Sequence, residues 1–409
     1  MCSRETRYRT FRMVPPTAHL HRASKLAAAL SLAWIQSLVA CDVGETSSGA
    51  GSGGGGALVA GSSSTAGATS GGSGGSSAMS GAGSGGAAGG LPAGGSGGSA
   101  STAFRVEAGK LYDRCGEQVI LRGVNEMIVW SPGRDGVPEF AEIAKTGANA
   151  VRIVWNDEGT AAELDVAITN ALMQQLIPII EHHGATGDLT KLTTVVDYWV
   201  QPDTLAVLKK HEPNLLLNIA NEAGDGMVTT ASFQAAYQPA ITRLRDAGLV
   251  LPLVIDAPSW GQNIDVLQAA WQPLTMHDPR HNLLFSVHMW WSDASGTRVK
   301  AELAQTTAAG MPLIVGEFAQ HAVSGCASQP FAFGALLEEA QKSGIGWLAW
   351  SWGSVPNSDC KDDGSFDMTI GGVSGSWKET WAEEVVVTHS ASIQKTSVRP
   401  VSIVNGACR

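Results

Sequence analysis

Eight short apolar runs recur through the last three quarters of the chain, and they constrain the fold more than any other feature. Each run has the length of a strand, and most are apolar without interruption instead of alternating with polar residues. Continuous apolar strands are typical of parallel sheets that are covered on both faces. The runs occupy residues 118–125, 148–155, 176–183, 214–221, 250–257, 282–290, 311–318 and 345–352.

Helical patterns lie between these runs. Residues 160–175 show helical apolar spacing after a Thr cap candidate, 231–248 end in a Gly stop, and 298–310 and 330–344 repeat the pattern. Strand and helix alternating over roughly 250 residues predict an α/β fold, a single (β/α)8 TIM barrel. A doubly wound open sheet is the alternative, and the absence of GxGxxG after the first run weakens it.

The segment before the barrel has a different composition. No charged residue lies between Glu45 and Arg105, and Gly, Ser, Ala and Thr dominate there. Such a stretch cannot bury enough apolar surface to offset its chain entropy, so residues 42–103 are predicted to be a flexible Gly/Ser/Ala-rich linker. The barrel domain is therefore expected to span residues 104–409.

Residues 1–41 are predicted to be a signal peptide of the lipoprotein type. Arg22 and Lys25 precede a short apolar run that is too short and wrongly flanked for a membrane span. Residues 38–41, Leu-Val-Ala-Cys, resemble a bacterial lipobox, in which the cysteine is lipidated. An ordinary signal peptide with a chance cysteine is the alternative. We expect a secreted protein or an outer-surface lipoprotein of a bacterium, with any membrane association through Cys41.

Composition excludes some partners and favours one. The chain carries a net charge of −10 and has no basic run, so nucleic acid and anionic membrane surfaces are poor partners. Twelve of the 13 Trp residues lie in the predicted barrel, which suits stacking on neutral sugars. The expected partner is a polysaccharide substrate, and the expected oligomeric state is a monomer.

Four cysteines lie in the predicted barrel: Cys115, Cys326, Cys360 and Cys408. An even number in an exported protein suggests two disulfides, with three possible pairings. Cys326 and Cys360 follow strands seven and eight, whereas Cys115 and Cys408 flank the seam where barrel termini meet. We therefore predict the pairs Cys326–Cys360 and Cys115–Cys408. No CxxC or HxxxH spacing indicates a metal site, and no cofactor is expected.

Polar and aromatic residues stand at the ends of the predicted strands. In a (β/α)8 barrel the active site lies at the carboxyl ends of the strands, so these side chains are expected to converge on one mouth. They are Asn125, Arg152, Trp155, His182, His183, Asn221, Glu222, Asp256, Trp260, His288, Trp290, Glu317, Trp350 and Trp352.

Glu222 and Glu317, after strands four and seven, are the candidate catalytic pair. Two carboxylates with aromatic neighbours suit glycoside hydrolysis, in which one is a protonated acid and the other an ionised nucleophile. Arg152 is placed to favour an ionised carboxylate through its charge. Asn221, beside the acid, is placed to bind a sugar 2-hydroxyl.

These residues resemble glycoside hydrolase family 5, the (β/α)8 retaining enzymes that cleave β-1,4-linked polysaccharides, and in particular its bacterial endo-β-1,4-mannanases. The resemblance is carried by "LYDRCGEQVILRGVN", "GANAVRIVW", "DAPSWGQ", "FSVHMWW", "LIVGEF" and "WLAWSWG". It implies that Glu222 is the acid/base and Glu317 the nucleophile. It also implies a set of residues around the reacting sugar: Arg152, His183, Asn221, His288 and Trp350.

Three positions depart from that family's pattern. Ala223 follows the acid where a Pro is usual, and Gly184 follows His183 where mannanases tend to have Asp. Trp290 stands where a Tyr usually donates to the nucleophile; its indole N–H can still donate one bond, and we expect it within about 3.5 Å of a Glu317 oxygen. Trp260, Trp290 and Trp352 are further candidate sugar platforms beside Trp350.

The predicted function is a retaining endo-glycosidase of β-1,4-linked plant polysaccharide, with mannan preferred. Two alternatives stay open at this point. One is an endo-β-1,4-glucanase of the same family, and the other is a non-hydrolytic sugar-binding barrel, motivated by the loss of the Tyr.

Overall fold

The computed structural model describes residues 102–324, 327–356 and 366–408. Three short strands come first and form an antiparallel sheet: β1 (Arg105–Glu107), β2 (Lys110–Tyr112) and β3 (Gln118–Val119). Eight parallel strands then close a barrel, which confirms the predicted (β/α)8 fold. The barrel strands are β4 (Arg122–Glu126), β5 (Ala150–Trp155), β6 (Ile177–His182), β7 (Leu216–Asn218), β8 (Leu253–Asp256), β9 (Leu283–His288), β10 (Leu313–Glu317) and β13 (Gly346–Ala349).

Closure and an added hairpin complete the sheets. β13 pairs with both β10 and β4, so the first and last barrel strands are neighbours. A two-stranded hairpin, β11 (His321–Ser324) and β12 (Ala327–Pro330), follows β10 at the carboxyl end of the barrel. The hairpin delays the next helix, which begins at Phe333 and not at the predicted residue 330.

Helices cover the outside of the barrel. Their bounds are α1 (Glu139–Lys145), α2 (Ala161–Met173), α3 (Leu192–Trp199), α4 (Pro202–His211), α5 (Thr230–Asp246), α6 (Ile264–His277), α7 (Thr297–Ala308), α8 (Phe333–Ser343), α9 (Thr380–Glu383), α10 (Ile393–Thr396) and α11 (Val401–Val404). Within the described residues, no helix is long and apolar enough to cross a membrane.

Local sequence explains where the predicted helices begin. Thr160 caps α2 and Thr229 caps α5, each by accepting a hydrogen bond from the third residue of its helix, and each cap is reciprocated. Such capping boxes satisfy amide groups that the first turn leaves without partners. The four helical patterns did not locate α1, α3, α4 or α6, nor the short helices α9, α10 and α11.

The first and fourth barrel strands are shorter than predicted. Residues 118–119 pair with β2 outside the barrel, and only Arg122–Glu126 enters it. β7 ends at Asn218, four residues before Glu222. Beyond β7 the chain still bonds to its neighbours, because Ile219 N–H donates to Val254 and Asn221 N–H to His182. Glu222 therefore lies on a turn at the barrel mouth, with a left-handed φ of 47°.

One of the two predicted disulfides is confirmed. Cys115 and Cys408 are bonded, with a Cα–Cα distance of 5.2 Å and a sequence separation of 293. The bond joins the entry to β3 with the end of the chain. Cys326 and Cys360 lie outside the described residues, as do the predicted signal peptide and almost all of the predicted linker, so the second disulfide and these two segments stay predictions.

Candidate active site

The carboxyl ends of the barrel strands bring the predicted polar residues together. Glu222 and Glu317 approach until one carboxylate oxygen of each lies within 4.8 Å of the other, and a nitrogen of His288 lies within the same limit of both. Both glutamates are buried, with 7% and 4% of their surface exposed. Inverting glycosidases separate their carboxyl groups by roughly 6.5–9.5 Å to admit a water, and retaining enzymes by roughly 5–5.5 Å. A separation within 4.8 Å is too short for the inverting arrangement and is compatible with the retaining one.

His288 lies between the two glutamates. Its Nδ1 is 2.7 Å from Oε1 of Glu222 and 3.3 Å from Oε2 of Glu317. Its position depends on two glycines. A Cβ at Gly261 would come 2.5 Å from Cγ of His288, and one at Gly316 would come 2.8 Å from Nε2. Glycine at both positions makes room for the imidazole.

Arg152, from β5, is buried and organises the floor of the site. It donates 2.9 Å to Oε1 of Glu317 and 2.6 Å to the amide oxygen of Asn221. Further bonds run to Asn125 and Asn218, and Asp256 lies 3.3 Å away. Because guanidinium is always charged and presents a fixed fork of donors, Arg152 holds the Glu317 carboxylate in one orientation.

Asn221 is oriented by this network before any sugar binds. Its oxygen accepts from Arg152, so its Nδ2 must face the other way, and that nitrogen donates 2.9 Å to Oγ1 of Thr186. The second Nδ2 hydrogen can serve a sugar hydroxyl. The arrangement is compatible with the predicted role of Asn221.

Trp290 donates to Glu317, as predicted. Its indole nitrogen lies 3.3 Å from Oε2 of Glu317, inside the expected limit. The ring packs edge-on against Phe366 at a centroid distance of 5.3 Å, which fixes its direction. The indole therefore takes over the hydrogen bond that the usual Tyr provides, although it cannot accept one.

Opposite electrostatic environments separate the two glutamates. Burial raises the pKa of Glu222, and the negative charge of Glu317 raises it further against a hydrogen bond from His288. Burial would also raise the pKa of Glu317, but the charge and hydrogen bond of His288 and the charge of Arg152 hold it below its ordinary value. Glu222 is thus suited to be the acid and Glu317 the ionised partner.

His183 and the aromatic residues form the walls. Nδ1 of His183 lies 2.9 Å from Oε1 of Glu181, and its ring is roughly parallel to Trp350 at 6.3 Å. Burial would lower the pKa of His183, but the charge of Glu181 and the hydrogen bond to it raise it. Trp260 lies at the rim. Its indole packs over Gly187, and 44% of the residue's surface remains exposed.

Two of the side chains expected at the mouth, Trp155 and Trp352, do not reach the cleft. Trp155 is fully buried and donates to the hydroxyl of Tyr198 on α3, outside the barrel. Trp352 is fully buried, donates to the carbonyl of Gly372 and packs edge-on against Trp377. Both faces are thereby unavailable to a sugar, and its prediction as a platform is wrong. Trp350, in contrast, stacks its ring on that of His183.

The structure also adds residues that the sequence analysis missed. Trp130 follows β4, is 41% exposed, and meets His183 edge-on at 5.6 Å. Glu158 accepts from its indole nitrogen and orients it. Glu181, hidden in an apolar run, supports His183 from below. The position of Trp130 just after a barrel strand was the available signal.

The chain resembles known proteins over its whole barrel. Residues 112–355 match the family model described as Cellulase (glycosyl hydrolase family 5). The mannan endo-1,4-beta-mannosidase of Cellvibrio japonicus is 31% identical over 319 residues, 76% of this chain and 71% of that protein. The enzyme of the same name from Streptomyces lividans is 32% identical over 264 residues, 62% of this chain and 67% of its own.

Solved structures agree with the sequence relatives. The catalytic domain of the mannanase from Streptomyces sp. SirexAA-E superposes with a TM-score of 0.66 at 29% identity, covering 74% of this chain and 95% of that one. The β-mannanase of Thermomonospora fusca, in complex with mannohexaose, gives 0.65 at 27% identity, covering 74% and 100%.

Proposed function

The chain belongs to glycosyl hydrolase family 5, the cellulase family, and we propose that it is a retaining endo-β-1,4-mannanase. The single observation that carries this proposal is the pair Glu222 and Glu317, bridged by His288, with their pKa values moved in opposite directions. Mannan is the proposed substrate because the relatives above are mannan-cleaving enzymes by name.

In the first step the ionised Glu317 attacks the anomeric carbon while Glu222 gives its proton to the departing glycosidic oxygen. A covalent bond forms between a Glu317 oxygen and the sugar, and the glycosidic bond breaks. Arg152 and Trp290 hold the attacking carboxylate through hydrogen bonds to its two oxygens. Attack thus starts from a preorganised geometry, which lowers the entropic part of the barrier.

In the second step Glu222 changes from acid to base. Once Glu317 is esterified it is no longer negative, so the charge that raised the pKa of Glu222 is gone. The ionised Glu222 then removes a proton from water, which attacks the anomeric carbon and releases Glu317. The coupling of the two carboxyl groups therefore supplies both protonation states that the cycle needs.

The donor bond from Trp290 bears on the sugar-binding alternative. That alternative was motivated by the loss of the Tyr, and the indole keeps a hydrogen bond to Glu317 at 3.3 Å. Glu317 therefore keeps a hydrogen-bond donor although the Tyr is absent, and this supports the enzyme over the sugar-binding barrel.

The test is a reducing-sugar assay of the full chain against mannan, glucomannan and carboxymethylcellulose. We expect the fastest release from mannan, and NMR of early products should show the β-anomer first, because two displacements retain configuration. A preference for carboxymethylcellulose would favour the glucanase alternative. Binding without cleavage would favour the sugar-binding barrel.

Export and lipid attachment at Cys41 belong to the same proposal. They are supported by the sequence of residues 1–41 alone. Cell fractionation of the parent and a Cys41→Ser variant tests them, since only the parent should be retained in the membrane fraction.

A further inference from the structure

Asp256 lies beneath the catalytic pair and is not exposed at all. A single oxygen, Oδ2, lies 3.3 Å from Nη2 of Arg152 and 3.5 Å from Nε2 of His288. The same oxygen accepts the backbone N–H of Glu222 at 3.2 Å. Asp256 therefore contacts the group that holds the nucleophile, the group between the two glutamates, and the turn that carries the acid.

His288 has acidic groups on both sides of its ring. Glu222 and Glu317 face Nδ1, and Asp256 faces Nε2. At 3.5 Å the contact to Asp256 is an ion pair and not a well-formed hydrogen bond. Among the described residues Nε2 has no hydrogen-bond partner. When Nε2 carries a proton, the negative charge of Asp256 is therefore the one that stabilises the positive charge of the ring on that side.

The other charged and titratable groups around this contact can be named. Arg152, from β5, is the cation that faces Asp256. Arg152 also lies 4.0 Å from Glu181 of β6, which in turn pairs with His183. Tyr237, from α5, is buried near Asp256, and that burial and the Asp256 charge raise its pKa, so it stays neutral. Ser286 of β9 supplies a hydroxyl beside Asp256.

We propose that Asp256 is a positioning residue that keeps His288 doubly protonated, so that the imidazolium, and not a neutral ring, lies between Glu222 and Glu317. This inference rests on the proposed retaining mechanism. Asp256 is never in contact with substrate, because it is fully buried. Its influence reaches the two glutamates through the charge on His288.

The electrostatics of the site agree with this role. Burial would raise the pKa of Asp256, but the charge of His288 beside it and the charge of Arg152 lower it to about 2. Burial would lower the pKa of His288, but Glu317 and Asp256 hold it well above its ordinary value. Asp256 thus stays negative at neutral pH, and it faces His288, whose raised pKa favours the positively charged ring.

The direction in which Asp256→Asn moves the pH profile of kcat/KM distinguishes this role from a simple loss of charge. If Asp256→Asn only removed an anion, both glutamates would ionise more easily and the pH profile of kcat/KM would move to lower pH. If instead His288 loses its proton, a nearer positive charge disappears and both glutamates ionise less easily. We expect both limbs of the profile to move to higher pH by roughly 1 unit, the scale of a neighbouring charge.

A direct test needs no substrate. In the full chain labelled with ¹⁵N-histidine, the ring signals of His288, assigned by their loss in His288→Gln, should remain those of an imidazolium from pH 5 to pH 8. In Asp256→Asn they should become those of a neutral imidazole within this range. A neutral His288 at pH 7 in the parent protein would overturn the proposal, even if no variant folds.

Two further variants complete the test. Glu181→Gln also removes a buried carboxylate next to Arg152, but Glu181 binds His183 and not His288, so the His288 signals should not change. Asp256→Glu restores the charge and should return both signals and profile toward the parent. A profile that stays in place or moves to lower pH in folded Asp256→Asn contradicts the proposal. A parent that cleaves no mannan would instead contradict the proposed function and leave the NMR result standing.

Discussion

The floor and the rim of the cleft solve different problems. The floor, formed by Arg152, Asn221, Glu222, His288 and Glu317, is buried and its side chains hold one another in place. The rim tryptophans, Trp130 and Trp260, are 41% and 44% exposed. Reacting groups must be fixed before substrate arrives, whereas a stacking surface must stay uncovered to receive it. A change in the floor should therefore act on kcat, and a change in the rim on KM.

The largest effect should come from the catalytic pair itself. Glu317→Ala should reduce kcat roughly 10⁴-fold or more, since only binding and the remaining groups are left. Glu222→Ala should cost roughly 10²–10⁴-fold, the usual contribution of general acid catalysis. With an aryl mannoside that needs no acid, azide should partly restore turnover by Glu222→Ala, and NMR should identify the β-mannosyl azide. A rescued product of α configuration would show that Glu222 is the nucleophile and Glu317 the acid/base.

A smaller effect is expected at Trp290, which is linked to the floor by one hydrogen bond to Glu317. Trp290→Phe keeps an aromatic ring and loses the bond to Glu317, so kcat should fall about tenfold, or ~1.4 kcal/mol, with KM nearly unchanged. Trp291→Phe is the matched control, because that neighbouring indole donates to the carbonyl of Gln262 and not to a carboxylate. Steady-state kinetics on mannopentaose measures both. A change confined to KM would show that Trp290 acts by binding the sugar, as the rim residues do, and not through Glu317.

Trp260 tests the rim directly. Trp260→Ala should raise KM about fivefold with kcat nearly constant, since an aromatic contact contributes ~1 kcal/mol. Trp260→Phe should lose much less, because a ring face remains. The same kinetics on mannopentaose separates these outcomes. Equal losses in the two variants would mean that the indole acts by some contact other than stacking.

The smallest effect on the cleft is expected from the disulfide. Cys115→Ser opens a bond that closes a very long loop far from the carboxyl ends of the strands, so the free energy of unfolding should fall by about 2–5 kcal/mol. At a temperature where the variant stays folded, kcat should equal that of the parent. Thermal unfolding followed by circular dichroism measures the first quantity. A large fall in kcat of the folded variant would show that the seam and the cleft are coupled.

Much of this site could be predicted because a barrel gives chain position a spatial meaning. A residue at the carboxyl end of a parallel strand must lie at the mouth, and this placed Glu222 and Glu317 correctly. Trp352 shows the limit of that reasoning. Two residues after Trp350 the chain has left the strand, and whether an indole faces the cleft or the core depends on the loop that covers it.

The sequence by itself determined the strand and helix alternation, the identity of the two carboxylates and the pairing of Cys115 with Cys408, because each follows from periodicity, strand ends or chain termini. Only the tertiary structure decided how His288, Arg152 and Asp256 share their charges. Those three residues come from three separate strands. Electrostatic effects depend on distances of a few ångströms and on burial, and neither quantity is encoded by spacing along the chain.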